Sequence, residues 1–162
     1  MFLMSLEINR LGMAIDYLFY IATILEPFQA LDMVSKGFEL EWASEPYGHC
    51  LFGSGMLVGA NHPIELLQSL IEEEFGFVPH IYIWFRINSN ADREKARRIM
   101  IRVTVELLRQ ISEDAVLLFD GESIVLQRLG GNLLLNDAFN PWITDLLPEV
   151  TLPYELRNFP SS

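Results

Sequence analysis

Residues 80–88 read HIYIWFRIN, an unbroken alternation of period two. Only an extended strand has that period, and it sorts the side chains: Ile81, Ile83, Phe85 and Ile87 fall on one face, His80, Tyr82, Trp84 and Arg86 on the other. The first set is wholly apolar and demands a core. The second holds Tyr, Trp and Arg, the residue types that dominate protein–protein binding energy. If a helix covers this face, the three are interior and Arg86 is neutralised by a partner. If the face is open to solvent, they form an interaction surface.

The rest of the chain supplies partners for this strand. Residues 15–25 are rich in β-branched and aromatic side chains and too apolar for an exposed edge, which predicts a central strand. Pro27 suits a first helical position, Phe28, Leu31 and Val34 follow at helical spacing, and Gly37 is placed to end that helix. Between residues 38 and 60 the pattern shortens and glycines recur at positions 48, 53, 55 and 59, predicting one or two hairpins. Pro63 opens a further helix containing Ile64, Leu67, Leu70 and Ile71, ending at Phe75–Gly76–Phe77.

Residues 91–111 give the clearest helical period, with Ser89 or Asn90 as cap and a core stripe of Ala96, Met100, Val103 and Leu107 widened by Ile99 and Ile111. Three strands in meander order follow, AVLLF, SIVLQRL and NLLLN, separated by Asp120–Gly121 and Gly130–Gly131. Pro141, Trp142 and Leu146 predict a short helical cap. The expected architecture is α+β: a single domain over residues 13–147, with a largely antiparallel sheet and helices packed mainly on one face. Residues 1–12 read as an extension, disordered or upstream of an alternative start at Met13. Residues 148–162, spaced by Pro148, Pro153 and Pro160, read as an extended tail.

The 162 residues match roughly one domain of ordinary size, and half of them are hydrophobic, enough for a core. Cys50 is the lone cysteine, so an intramolecular disulfide is impossible and a cytoplasmic location is expected. The apolar N-terminal stretch is broken by Glu7, Arg10 and Asp16, and its longest uncharged run falls well short of the roughly 20 residues that span a bilayer. No membrane association is expected.

Catalytic patterns are missing from the sequence. His49 and Cys50 are adjacent and so point to opposite faces of a strand, which disfavours a thiolate–imidazole pair. His49, His62 and His80 lack metal-ligand spacing, and the nearest pattern is His62 with Glu65, a single helical step. The Gly53–Ser54–Gly55 triplet lacks the neighbours of a nucleophile elbow or a phosphate loop. No catalytic residue, cofactor or metal site is predicted.

Charge is more informative. The net charge is −11, yet residues 86–111 hold seven of the 11 basic residues and only three acidic ones. A chain this acidic is repelled by nucleic-acid backbones, so the basic helix reads as a solvated face laced by Glu94–Arg98 and Arg102–Glu106 pairs. The acidic remainder suits a basic protein partner. Its densest point is Glu72, Glu73 and Glu74, which together with Tyr82, Trp84 and Arg86 are the candidate partner-binding residues.

Residues 69–136 carry a series of short motifs in fixed order: Glu74–Phe75–Gly76–Phe77, Phe85–Arg86, Asp92–Arg93–Glu94, then residues 114–119 with Gly121–Glu122, Gly130–Gly131 and Asn136. Upstream, MAIDYLFYIAT and QAL complete a strand and a helix start. This series resembles the immunity proteins of bacterial swarm-inhibition (myxobacterial Sit-type) and related toxin–immunity systems. The resemblance implies a non-enzymatic protein that binds a cognate toxin, and the acidic excess agrees with masking a basic active site. The alternatives are a general interaction domain of a bacterial regulatory assembly and, third, an enzyme or small-ligand binder with a pocket near His49 and Cys50.

Overall fold

The computed structural model of the protein describes residues 14–43 and 49–159, so the expected N-terminal extension, Met13, Gly48 and Pro160 lie outside the described residues. Nine strands form one sheet: β1 (Ala14–Ile21), β2 (Glu41–Trp42), β3 (Leu51–Gly53), β4 (Met56–Asn61), β5 (Ile81–Asn88), β6 (Ala115–Phe119), β7 (Ser123–Leu129), β8 (Asn132–Asn136) and β9 (Glu155–Arg157). Their spatial order is β2-β3-β4-β5-β1-β6-β7-β8-β9. Every neighbouring pair is antiparallel except β8 and β9. The fold is α+β, as the alternating strands and the periodic helices predict.

β1 is central, hydrogen-bonded to β5 on one side and β6 on the other. It stops at Ile21, four residues short of the expected end, because Thr23 turns the chain: its Oγ1 accepts a hydrogen bond from the Leu25 amide at 3.2 Å. Beyond that turn Ile24 stands 93% exposed. The first helix, α1 (Pro27–Met33), starts at proline as expected but ends at Met33, before Gly37. Gly37 does adopt a left-handed conformation, φ +90°, within the turn beyond the helix. The glycine-rich segment resolves into β2, β3 and β4. At the other end of the sheet Gly130 and Gly131 both have positive φ, the backbone a two-residue hairpin turn requires.

The pleat divides the core into two unequal parts. On one face Tyr17, Phe19, Ile21, Ile81, Ile83, Phe85 and Ile87 join the large cluster under α1 and under α3 (Arg93–Gln110). On the other, Tyr20, Tyr82, Val116 and Leu118 meet Ile71, Phe75 and Phe77 beneath α2 (Glu65–Phe75). Burying hydrocarbon on both faces is worth about 25 cal/mol per Å², so a sheet apolar on two sides needs two covers.

α3 is capped by Asp92, not by Ser89 or Asn90: its carboxylate accepts a hydrogen bond from the Lys95 amide at 3.1 Å. The expected stripe is buried, and so are Ile101, Thr104, Val105 and Leu108. The reason is a second layer. A π-helical turn, Trp142–Leu146, and a 3-10 turn, Leu147–Glu149, lie against α3 from outside, with Trp142 and Leu146 fully buried. Trp142 donates its indole N–H to the Val125 carbonyl at 3.0 Å. Beyond this cap residues 155–157 add a ninth strand, parallel to β8.

The basic residues of α3 pair across to the cap more than along the helix. Arg98 meets Asp145 at 3.4 Å, and Arg102 meets Glu149 through two nitrogens at 2.6 and 3.3 Å, which holds the Arg102 proton above its ordinary affinity. These replace the expected Glu94–Arg98 and Arg102–Glu106 pairs. Glu106 instead accepts hydrogen bonds from Arg109 and Gln110, both at 2.7 Å.

The C-terminus of α3 has its own clamp. Arg128, buried in β7, donates to the carbonyls of Leu108 (2.6 Å), Ile111 (2.9 Å) and Glu113 (2.8 and 3.2 Å). Burial draws its pKa below the usual arginine value, with Glu113 and Asp114 opposing that shift. Helix ends leave carbonyls without intrahelical donors, and a planar guanidinium satisfies several at once. Replacing Arg128 by Met is expected to cost at least about 2 kcal/mol, since each orphaned buried carbonyl costs about 1–3 kcal/mol. The urea midpoint should fall at unchanged m-value, with only partial recovery in Arg128→Lys, whose ammonium is a point donor.

Candidate functional site

Helix α2 carries both the acidic triplet and the cover of the smaller core. Ile71 and Phe75 lie four residues apart and turn inward onto Tyr20 and Tyr82. Gly76, at φ +82°, ends the helix in the left-handed conformation, and Phe77 then re-enters the core. Gln68 anchors the helix from its side chain, reaching the Pro79 carbonyl at 3.4 Å.

Opposite this buried edge, Leu66 is 64% exposed and Leu70 49%, with Ile64 at 62% just before the helix. Glu72, Glu73 and Glu74 are all exposed, and none makes an ion pair among the described residues. The triplet sits at the C-terminal end of α2, where the backbone carbonyls already present partial negative charge, and no basic residue occupies that last turn. Acidic groups there are disfavoured by about 0.3–1 kcal/mol each. Stability does not explain the placement.

The Tyr82, Trp84, Arg86 face is largely interior. Tyr82 is covered by α2, and its ring lies 5.5 Å from that of Tyr20. Arg86 is buried, its Nε donating to Asp16 Oδ1 at 3.0 Å across the β1–β5 ladder. Trp84 keeps partial exposure. Its indole lies flat over β4, where Gly59 makes room: a Cβ at Gly59 would sit 2.0 Å from the Trp84 ring. The indole N–H donates to Asn61 Oδ1 at 3.0 Å, and the Arg86 guanidinium carbon stands 5.6 Å from the ring centroid, a cation–π distance.

The expected group of six residues therefore separates by position. Glu72, Glu73 and Glu74 are exposed, Trp84 is half-buried, and Tyr82 and Arg86 lie beneath the surface. Sequence reading missed the neighbours of the glutamates. Leu66, Leu70 and Glu73 recur at helical spacing, a signal for one outward stripe, but the apolar members read as core until a sheet fixes which edge of the helix faces inward.

Cys50 is buried, and burial pushes its thiol pKa up, away from the thiolate that nucleophilic chemistry needs. His49 is exposed and packs edge-on against Phe28 at 6.0 Å. A hollow near this region, about 580 Å³, is an open groove lined by residues including Ser35, Lys36, Glu39, Leu40 and Phe52. His62 is not partnered by Glu65 but stands beside His80 and Glu26.

The pair Tyr20–Tyr82 reports on the α2 cover. Burial raises both phenols to about 12, and their mutual proximity adds to the shift at Tyr20. A phenol whose pKa is higher folded than unfolded stabilises the fold fully below the unfolded value near 10. That stabilisation is lost as pH rises through about 10 to 12, because only the unfolded chain releases the proton. Absorbance at 295 nm should therefore show two tyrosines ionising near pH 12, and their ionisation should move toward the ordinary value in Phe75→Ala, which opens the cover.

Comparison with known protein families gives one match. The model of the SitI3-like family covers residues 15–146, from β1 through the Trp142–Leu146 turn. Neither the curated proteins nor the solved structures contain a match. The family match runs from β1 through β8 and takes in the three described α-helices and the acidic turn of α2, well over half of the chain, and the chain belongs to the SitI3-like family.

Proposed function

We propose that this protein is a non-enzymatic immunity protein that binds a cognate, basic bacterial toxin through the outward face of α2. The observation that carries the reading is the juxtaposition on that face of exposed Leu66 and Leu70 with an unpaired run of three glutamates at the negative end of the helix. Family membership supports an immunity role in general. The charge supports the partner's chemistry: in a net −11 chain whose α3 cations Lys95, Arg98, Arg102 and Arg109 already pair with carboxylates, the acidic end of α2 is left to steer a basic surface.

The two components have separate tasks. Exposed carboxylates raise the association rate and are screened beyond about 8 Å at physiological ionic strength. Apolar side chains desolvated at the centre of a contact hold the complex together, at about 2 kcal/mol or more for a strong anchor. Trp84, on β5, packs against the smaller core and keeps partial exposure, but it is not part of the α2 stripe.

The test is co-expression with a candidate cognate toxin sought among the neighbouring genes, followed by binding kinetics. Wild-type protein should rescue growth. Neutralising Glu72, Glu73 and Glu74 to Gln should slow association by about tenfold or more at low salt, with the difference fading at high salt. Leu66→Ser with Leu70→Ser should leave association nearly unchanged and hasten dissociation by about thirtyfold, the rate equivalent of one strong anchor. Both variants alter exposed side chains, so neither should melt far below wild type, and removing three carboxylates from the negative end of α2 should raise the melting temperature rather than lower it. If wild-type protein neither rescues growth nor binds the toxin, the immunity reading fails and a general interaction domain becomes the better account.

A further inference from the structure

Three residues far apart in sequence meet at the end of the sheet where β1 and β4 finish and β5 begins. Glu26 precedes α1, His62 follows β4 and His80 precedes β5. β4 and β5 are adjacent, which brings the two histidines together, and the His80 amide donates to the Ile21 carbonyl at 2.9 Å, which ties them to the end of β1 and so to Glu26. His62 Nε2 lies 2.8 Å from Glu26 Oε2, and His80 Nε2 lies 3.8 Å from Glu26 Oε1. The imidazole centroids are 4.9 Å apart, and one donor atom from each of the three residues falls within 4.8 Å of the others.

We propose that Glu26, His62 and His80 bind a divalent transition-metal ion of the zinc type. Two imidazole nitrogens and one carboxylate oxygen are a donor set that zinc favours, and bonds of about 2.0–2.2 Å place tetrahedral ligand atoms roughly 3.4 Å apart. The observed separations bracket that value. The side chains are 42–58% exposed, so the fourth position opens to water and the ion is shed of little more than its own hydration.

The environment of His62 is a second, independent indication. Its Nδ1 lies 3.1 Å from the His80 carbonyl oxygen while its Nε2 faces the Glu26 carboxylate. Both ring nitrogens thus face acceptors. A carbonyl can only accept, so Nδ1 carries the hydrogen in that contact, and Nε2 is left directed at the carboxylate. A ring whose Nδ1–H is held by a backbone carbonyl while Nε2 is presented to its neighbours is the arrangement seen in metal-ligating histidines. Glu26 is held in place from the other side, its amide donating to Gln29 Oε1 at 2.8 Å.

The site is independent of toxin binding, and either can fail without the other. Titration of the purified chain with Zn²⁺ by calorimetry should show one saturable site per chain. His62→Ala and His80→Ala should each weaken it by at least about tenfold, the smallest loss usual for disturbing even the surroundings of a metal. Glu26→Gln should weaken it as well, and His49→Ala should leave it unchanged. In the wild-type protein, added Zn²⁺ should shift the ring resonances of His62 and His80 and spare those of His49, a readout that needs no variant. Co²⁺ in place of Zn²⁺ should give the intense visible bands of a four-coordinate site. Absence of saturable binding, unchanged His62 and His80 resonances, or undiminished binding in the His62→Ala/His80→Ala double variant overturns the proposal.

Discussion

The β1–β5 ladder is the constraint from which the other contacts follow. β1 lies inside a nine-stranded sheet with partners on both edges, and its pleat sends Tyr17, Phe19 and Ile21 to one core and Leu18 and Tyr20 to the other. A slip of one residue would exchange these sets. The ladder also sets Asp16 opposite Arg86, where the two charges pair at 3.0 Å, both buried. In a shifted register each would be buried opposite an apolar neighbour, at a cost of several kcal/mol per charge. The pair therefore contributes more to selecting one register than to stability in the chosen one.

Two covers of unequal strength follow from the two-faced sheet. The larger face is closed by α1, by an α3 buried on most sides and by the Trp142–Leu146 turn over α3. The smaller is closed by α2, which commits only Ile71 and Phe75 to the interior. A helix with so narrow a buried edge has a wide outward surface, and this one fills it with exposed leucines and glutamates. The proposed immunity function draws on this asymmetry: the thick layer would serve as platform, and the outward face of the thin one would meet the toxin.

Charge is distributed by the same logic. The basic run that stands out in the sequence is absorbed internally, Arg98 by Asp145, Arg102 by Glu149 and Arg109 by Glu106 and Thr151. Arg128 spends its donors on backbone carbonyls at the end of α3. The cations are thus largely structural, while Glu72, Glu73 and Glu74 make no ion pair among the described residues and stand beside the exposed leucines.

Local pattern was enough to read the strands, the helices and the class of the fold, because periods of two and 3.6 are properties of the backbone itself. Alternation placed β5, glycine pairs placed the meander turns, and the apolar run of β1 marked it as central. Caps and ends were less legible: Asp92 displaced Ser89 and Asn90, and β1 stopped at a threonine turn, since such choices turn on single hydrogen bonds. Tertiary structure alone decided what each face meets. Trp84 lies flat because Gly59, 25 residues earlier, is its cross-strand neighbour, and α3 is buried on its outer side because a segment more than 30 residues later folds back over it. Glu26, His62 and His80 show no spacing that would relate them, and only the pairing of β4 with β5 and of β5 with β1 brings their donor atoms within 4.8 Å. Sequence patterns of short range encode geometry along the chain, whereas a site assembled from three strand ends exists only once the sheet has fixed their distances.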